Sequence, residues 1–195
     1  MNDSLRYIHI DKPYAISTFT QRFDKVLSDN IVNGYSDVVI LCIGTDRSTG
    51  DCLGPLVGQK LKHIKSKGVQ VYGTLDEPVH AKNLKYTMKD IYEKYDNPFI
   101  ISIDACLGKT QSIGCISVDE GPITPGAGVN KNLPEVGHIH VIGIVNVGGF
   151  MEYIILQNTR LSLVMRMSEI ISMGIYHCLS KYMDRVEGRE SSVKI

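Results

Sequence analysis

Six consecutive apolar residues, Val38 to Ile43, stand out from an otherwise mixed pattern. A run without alternation predicts a strand covered on both faces in a parallel sheet, so helices should flank it. The loop that follows carries Gly44, Asp46, Arg47, Gly50 and Asp51, and Pro55 suits the first turn of a helix because its missing N–H would have no partner there. Asp51 is thus expected between the carboxyl end of a strand and the start of a helix. In open α/β sheets that is where ligands and catalytic groups gather.

The rest of the chain reads as support. Residues 1–15 lack periodicity and predict an extended arm, with Pro13 discouraging helix. Phe19, Phe23, Val26, Leu27 and Ile31 recur at helical spacing and Thr18 with Gln21 matches a capping box, predicting a helix over about 18–32 that Gly34 ends. Leu53, Val57, Leu61 and Ile64 form the stripe of a second helix stopped by Gly68, and VQVYG reads as a strand. After a polar connection over 74–82, Leu84, Met88, Ile91 and Tyr95 mark a third helix stopped near Pro98.

FIISI, residues 99–103, is a second short apolar run and places Asp104 at its carboxyl end. Residues 113–118 read as a strand that runs antiparallel, since no helix separates it from its neighbours, and 121–135 as a Gly/Pro-rich functional loop. HVIGIVNV (140–147) is the last core strand. A long amphipathic helix is expected over about 158–186, packed across the sheet or against a second copy in a homo-oligomer, before a polar disordered tail at 187–195. Strands alternating with helices predict one doubly wound, mostly parallel α/β domain over the whole chain.

Composition narrows the function classes. Twenty-one basic and 21 acidic residues give a formal charge of zero, so no long-range attraction favours nucleic acid or an anionic membrane. Five widely spaced cysteines without a CxxC pair argue against a disulfide framework and a structural zinc site, and fit a reducing cytoplasm. Neither a signal-peptide pattern nor a membrane-length apolar run is present.

Asp51 and Asp104 are the sharpest chemical candidates. Two carboxylates brought together repel, which raises one pKa and leaves an acid beside a base, a pair able to activate water against an amide carbonyl. The same residues would equally serve as ordinary caps of a turn or helix. Asp46 and Arg47 are candidates to orient a substrate or form an ion pair above the site. Gly126 and Gly128 are candidates to offer backbone N–H groups to a peptide, with Lys131 as a nearby cation. His138 and His140 share one strand face and are the weaker metal candidates, and His80 is no stronger. The loop at 44–50 lacks both the GK[ST] ending of a phosphate-binding loop and the GxGxxG of a dinucleotide fold.

Four blocks, TGDCLGPLVG (49–58), FIISIDACLG (99–108), TPGAGVNKNLPEVG (124–137) and VIGIVNVGGFMEY (141–153), occur in this order. Through them the chain resembles the sporulation protein YyaC family over nearly its whole length. The same blocks resemble those of the bacterial spore germination protease, an aspartic-type endopeptidase that degrades small acid-soluble spore proteins and shares its fold with the hydrogenase maturation endopeptidases. The resemblance implies a three-layer, phosphorylase/hydrolase-like α/β fold of the hydrogenase maturation protease kind, with Asp51 and Asp104 as the catalytic pair. It further implies a protein or peptide substrate such as the small acid-soluble spore proteins, no cofactor, and a place in the forespore or spore cytoplasm. The sequence is much shorter than the germination protease, and the expectation is that it does without the additional substrate-handling segments and propeptide of that enzyme. Where the hydrogenase maturation enzymes supply a nickel-sensing His, this chain reads TPGAGV, so no metal ligand is expected. A sporulation protein that keeps the fold and binds a protein partner without hydrolysis is the alternative that the likeness also implies.

Overall fold

The computed structural model describes residues 7–31, 34–64, 68–125 and 133–192, with side chains described as far as Met183. Six strands form one sheet: β1 (Tyr7–His9), β2 (Asp37–Cys42), β3 (Val69–Tyr72), β4 (Pro98–Gly108), β5 (Cys115–Glu120) and β6 (Ile139–Val147). Among the described residues five α-helices accompany it: α1 (Ala15–Asn30), α2 (Leu53–Leu61), α3 (Leu84–Lys94), α4 (Glu152–Gln157) and α5 (Leu161–Ser192). The strand order is β1-β5-β6-β4-β2-β3. β6, β4, β2 and β3 run parallel, while β5 is antiparallel to both its neighbours, as the missing crossover helix requires.

The unbroken apolar runs earn their double burial. Val38, Ile40 and Cys42 of β2 face a core built with α1, α2 and α5, whereas Val39, Leu41 and Ile43 face α3 through Leu84, Met88 and Ile91. The sheet is therefore the middle of three layers, as expected. On the α3 side, the segment around Ile123 and Val136 extends the cover.

Several boundaries differ from the sequence reading. Helix α1 begins at Ala15, with Tyr14 as N-cap and no side-chain cap, so Thr18 and Gln21 lie inside it and form no capping box. The buried stripe explains the shift, because Ala15 continues Phe19 and Phe23 backwards by one turn. Tyr7–His9 of the arm is an edge strand on β5, and β4 continues through Asp104 to Gly108. The predicted last helix is α5, which starts at Leu161 and continues to Ser192 where a disordered tail was expected, and the short α4 before it was not predicted. Glu187, Arg189 and Glu190 have high intrinsic helix propensity, which suffices to prolong a helix already nucleated by packing.

The topology fixes where a site can form. β2 leads through α2 on one face to β3, whereas β3 leads through α3 on the other face to β4, on the opposite side of β2. Successive connections leave in opposite directions at the carboxyl ends of β2 and β4, and a crevice opens at such a reversal. Pairing of β2 with β4 ends at Cys42 and Ile103. Asp104 is the next residue.

Candidate active site

The loop holding Asp51 is tied at several points. Ile43 bridges to Val79 in parallel, and the Gly44 N–H donates to Val79 O at 2.8 Å. Thr45 N–H then donates to the Asp51 carbonyl oxygen at 3.2 Å, and Gly50 N–H to Leu156 O of α4 at 2.8 Å. Gly44 has φ +142°, and a Cβ there would fall onto the Asp51 carbonyl oxygen. Only glycine fits this turn. Gly54 is needed for closeness, since its Cβ would strike Ile43 O, and it lets α2 start against the end of β2. Cys52 is the N-cap of α2 and no side chain caps that helix. Asp51 is therefore not a helix cap.

Asp104 is 8 % exposed, and its Oδ1 accepts from the N–H of Ala105 at 2.8 Å. Burial pushes its carboxyl well above the usual carboxylate range, the charge of Asp51 pushes the same way, and the Ala105 N–H opposes both. Asp51 is also raised by burial, against the Thr45 N–H and the charge of His80, which favour ionisation. The two aspartates thus meet electrostatically at the carboxyl end of the sheet. The deeper burial of Asp104 favours the proton there when the pair holds one, and the apparent pKa values belong to the pair. An acid and a base side by side can move protons in opposite directions during one hydrolytic step.

His80 joins this pair, although the sequence reading gave it no special place. Asn83 Oδ1 accepts from the His80 N–H at 2.8 Å, and Asn83 Nδ2 donates to Pro78 O at 3.0 Å, which braces the turn. The overlooked sign was Val79, a lone buried residue in a polar connection, whose bridge to Ile43 delivers the next residue to Asp51. Among the described residues, Ser48 Oγ, His80 Nδ1 and, in α2, Gln59 Oε1 are buried without a hydrogen-bond partner. Ser48 and His80 lie on segments that meet in the Asp51 loop, leaving hydrogen-bonding capacity that a polar ligand can use.

The remaining candidates divide. Asp46 and Arg47 occupy the exposed turn of the same loop, where Arg47 N–H donates to Thr45 Oγ at 3.4 Å. The charge of Asp46 reaches Cys52. Gly126, Gly128 and Lys131 lie outside the described residues. The Cys52 thiol is pushed up to about 11 by burial and the Asp51 charge, and that of Cys106 to about 11 by burial and the Asp104 charge, so neither is a thiolate at neutral pH. His138 Nδ1 accepts from Ile100 N–H at 2.9 Å and its ring stacks on Phe99, while His140 Nδ1 bonds Gly121 O at 2.9 Å. These two histidines tie down the start of β6. Among the described residues no group of three His, Cys, Asp or Glu side chains is arranged to hold a metal ion. No described helix is long and apolar enough to cross a membrane.

Residues 8–174 match the model of a family described as "Protein of unknown function (DUF1256)". The chain is similar to "Uncharacterized protein YyaC" of Bacillus subtilis (strain 168), at 54 % identity over 153 residues that span 78 % of this chain and 72 % of that protein. Among solved structures it is similar to a [NiFe] hydrogenase maturation protease, HycI from Thermococcus kodakarensis KOD1, with a TM-score of 0.54 and 19 % identity over 80 % of this chain and 97 % of the other. At that identity the likeness is one of fold.

Proposed function

The chain belongs to the DUF1256 family, and from that premise we propose that it is an endopeptidase whose water is activated by Asp51 and Asp104. The observation that carries this reading is the buried Asp104 carboxyl, raised further by the charge of Asp51, at the switch point of the sheet. A fold similar to that of a maturation protease supports it. Asp51 takes a proton from water as its oxygen attacks the peptide carbonyl, and Asp104 gives its proton to the carbonyl oxygen. Collapse of the tetrahedral intermediate breaks the C–N bond. The amine leaves with the proton held by Asp51, and Asp104 recovers its own from the hydroxyl, so the pair ends as it began. Asp46 and Arg47 stand at the rim to contact the substrate. No step uses a metal or cofactor.

The resemblance to the germination protease extends the proposal to a role in sporulation, in the forespore or spore cytoplasm, with small acid-soluble spore proteins as substrates. The test is incubation of the purified chain with those proteins and with forespore extract, beside Asp51→Asn and Asp104→Asn variants. Cleavage by the unaltered chain that disappears in both variants is expected. Cleavage that persists in both, or none by the unaltered chain, overturns the proposal; the latter result favours a protein that binds a partner.

A further inference from the structure

β3 is an edge strand of four residues, Val69–Tyr72, and among the described residues no strand pairs with its outer side. Gly68 O accepts from Val38 N–H at 2.8 Å, and alternation along a parallel ladder then turns the N–H and C=O groups of Gln70 and Tyr72 towards β2. Those of Val69 and Val71 point outward. Edge strands are usually blunted by a charge, a proline or a bulge, and β3 contains none of these. Beside it, on the α3 side, lies a cavity of about 730 Å³. Tyr72 and Tyr95 wall it, Tyr86 projects at its side with 76 % of its surface exposed, and its lining includes His80, whose charge acts on Asp51.

From this juxtaposition we infer that an extended peptide adds to the outer edge of β3 as a further strand and runs on past His80 towards the carboxylate pair. The inference rests on the endopeptidase reading and names the form in which its substrate is held. Val69 and Val71 supply main-chain hydrogen bonds that do not depend on sequence, while the tyrosine-lined cavity takes alternate side chains of the peptide. A helical segment has no free backbone groups to offer this edge, so the site selects extended stretches. Lys94, ion-paired with Asp90 at 2.9 Å and 5.9 Å from the Tyr72 ring centroid, holds that aromatic wall in place.

The test reads binding and not cleavage. Random ten-residue peptides displayed on phage are selected on the Asp51→Asn/Asp104→Asn double variant, and the best is resynthesised with single backbone N-methyl groups at successive positions. N-methylation at every second residue is expected to weaken binding about tenfold, with little effect between, because each such group removes one donor to the edge. Val71→Pro, which removes an outward N–H at a position where an edge strand tolerates proline, should weaken binding similarly, and Val71→Thr should not. Failure to select any peptide, or affinity indifferent to N-methylation, overturns the inference. A period-two pattern with no cleavage by the unaltered chain keeps the edge site and removes the hydrolase; cleavage without the pattern does the reverse.

Discussion

The N–H of Thr45 donates to the carbonyl oxygen of Asp51 at 3.2 Å, closing the loop into a ring over Gly44. A methyl group on Gly44 would meet that oxygen in a backbone conformation hostile to side chains. Gly44→Ala is expected to cost roughly 2–3 kcal/mol of stability and to abolish cleavage by displacing Asp51. Urea unfolding with a parallel cleavage assay checks both.

Asp104→Asn should separate stability from chemistry. A carboxyl whose folded-state pKa lies above its unfolded value contributes stability below about 3.9 that is lost as pH rises through the folded value. Asp104 is such a group, so at pH 7 its ionisation opposes folding. The neutral amide should raise stability there by on the order of 1 kcal/mol, a Tm gain of ~2–4 °C, while cleavage disappears. Melts across the acid to neutral range should show the gain shrinking towards pH 4.

Hydrolysis should have two limbs in pH. Activity rises as Asp51 loses its proton, with a midpoint above the ordinary Asp value because burial raises it, and falls as the more strongly raised Asp104 loses its own. In Asp51→Asn no pH should restore turnover. The profile of kcat/KM over a peptide substrate is the measurement.

His80→Ala should move the acid limb upward. The charge of His80 favours the ionised form of Asp51, so its removal raises the Asp51 pKa further. A carbon NMR titration of the Asp51 carboxyl reads the shift without requiring turnover. No movement on removing His80 would dismiss any role for it at the pair.

Met151, the N-cap of α4, sits at φ +58° with 69 % of its surface exposed. A left-handed conformation costs a non-glycine residue roughly 1–2 kcal/mol. Met151→Gly should therefore stabilise the chain by about 1 kcal/mol, less some loss from added freedom in the unfolded state. Denaturant midpoints of the two proteins decide it.

The sheet was legible because its strands announce themselves. VVILCI and FIISI carry no polar residue to orient one face outward except Ser102, whose hydroxyl donates to Val136 O at 3.1 Å. What escaped was set by contacts distant in sequence. His80 is placed by a single bridge from Val79 to Ile43, and no local pattern encodes a single bridge. The start of α1 escaped for a different reason: a plausible capping pair lay one turn inside the true end, and buried Ala15 outweighed it. Tyr7–His9 is too short for periodicity to register, and only its pairing with β5 makes it a strand.

The two carboxylates have unequal mountings. Asp104 belongs to a strand hydrogen-bonded into the middle of the sheet, whereas the loop of Asp51 hangs partly from Gly50 N–H on Leu156 O, at the end of a helix with no buried residue. The distance between them is only as constant as the weaker support, whose solvent side carries Phe150 and Tyr153. A load placed on that tip would register at the aspartates as altered proton affinity before any change in outline.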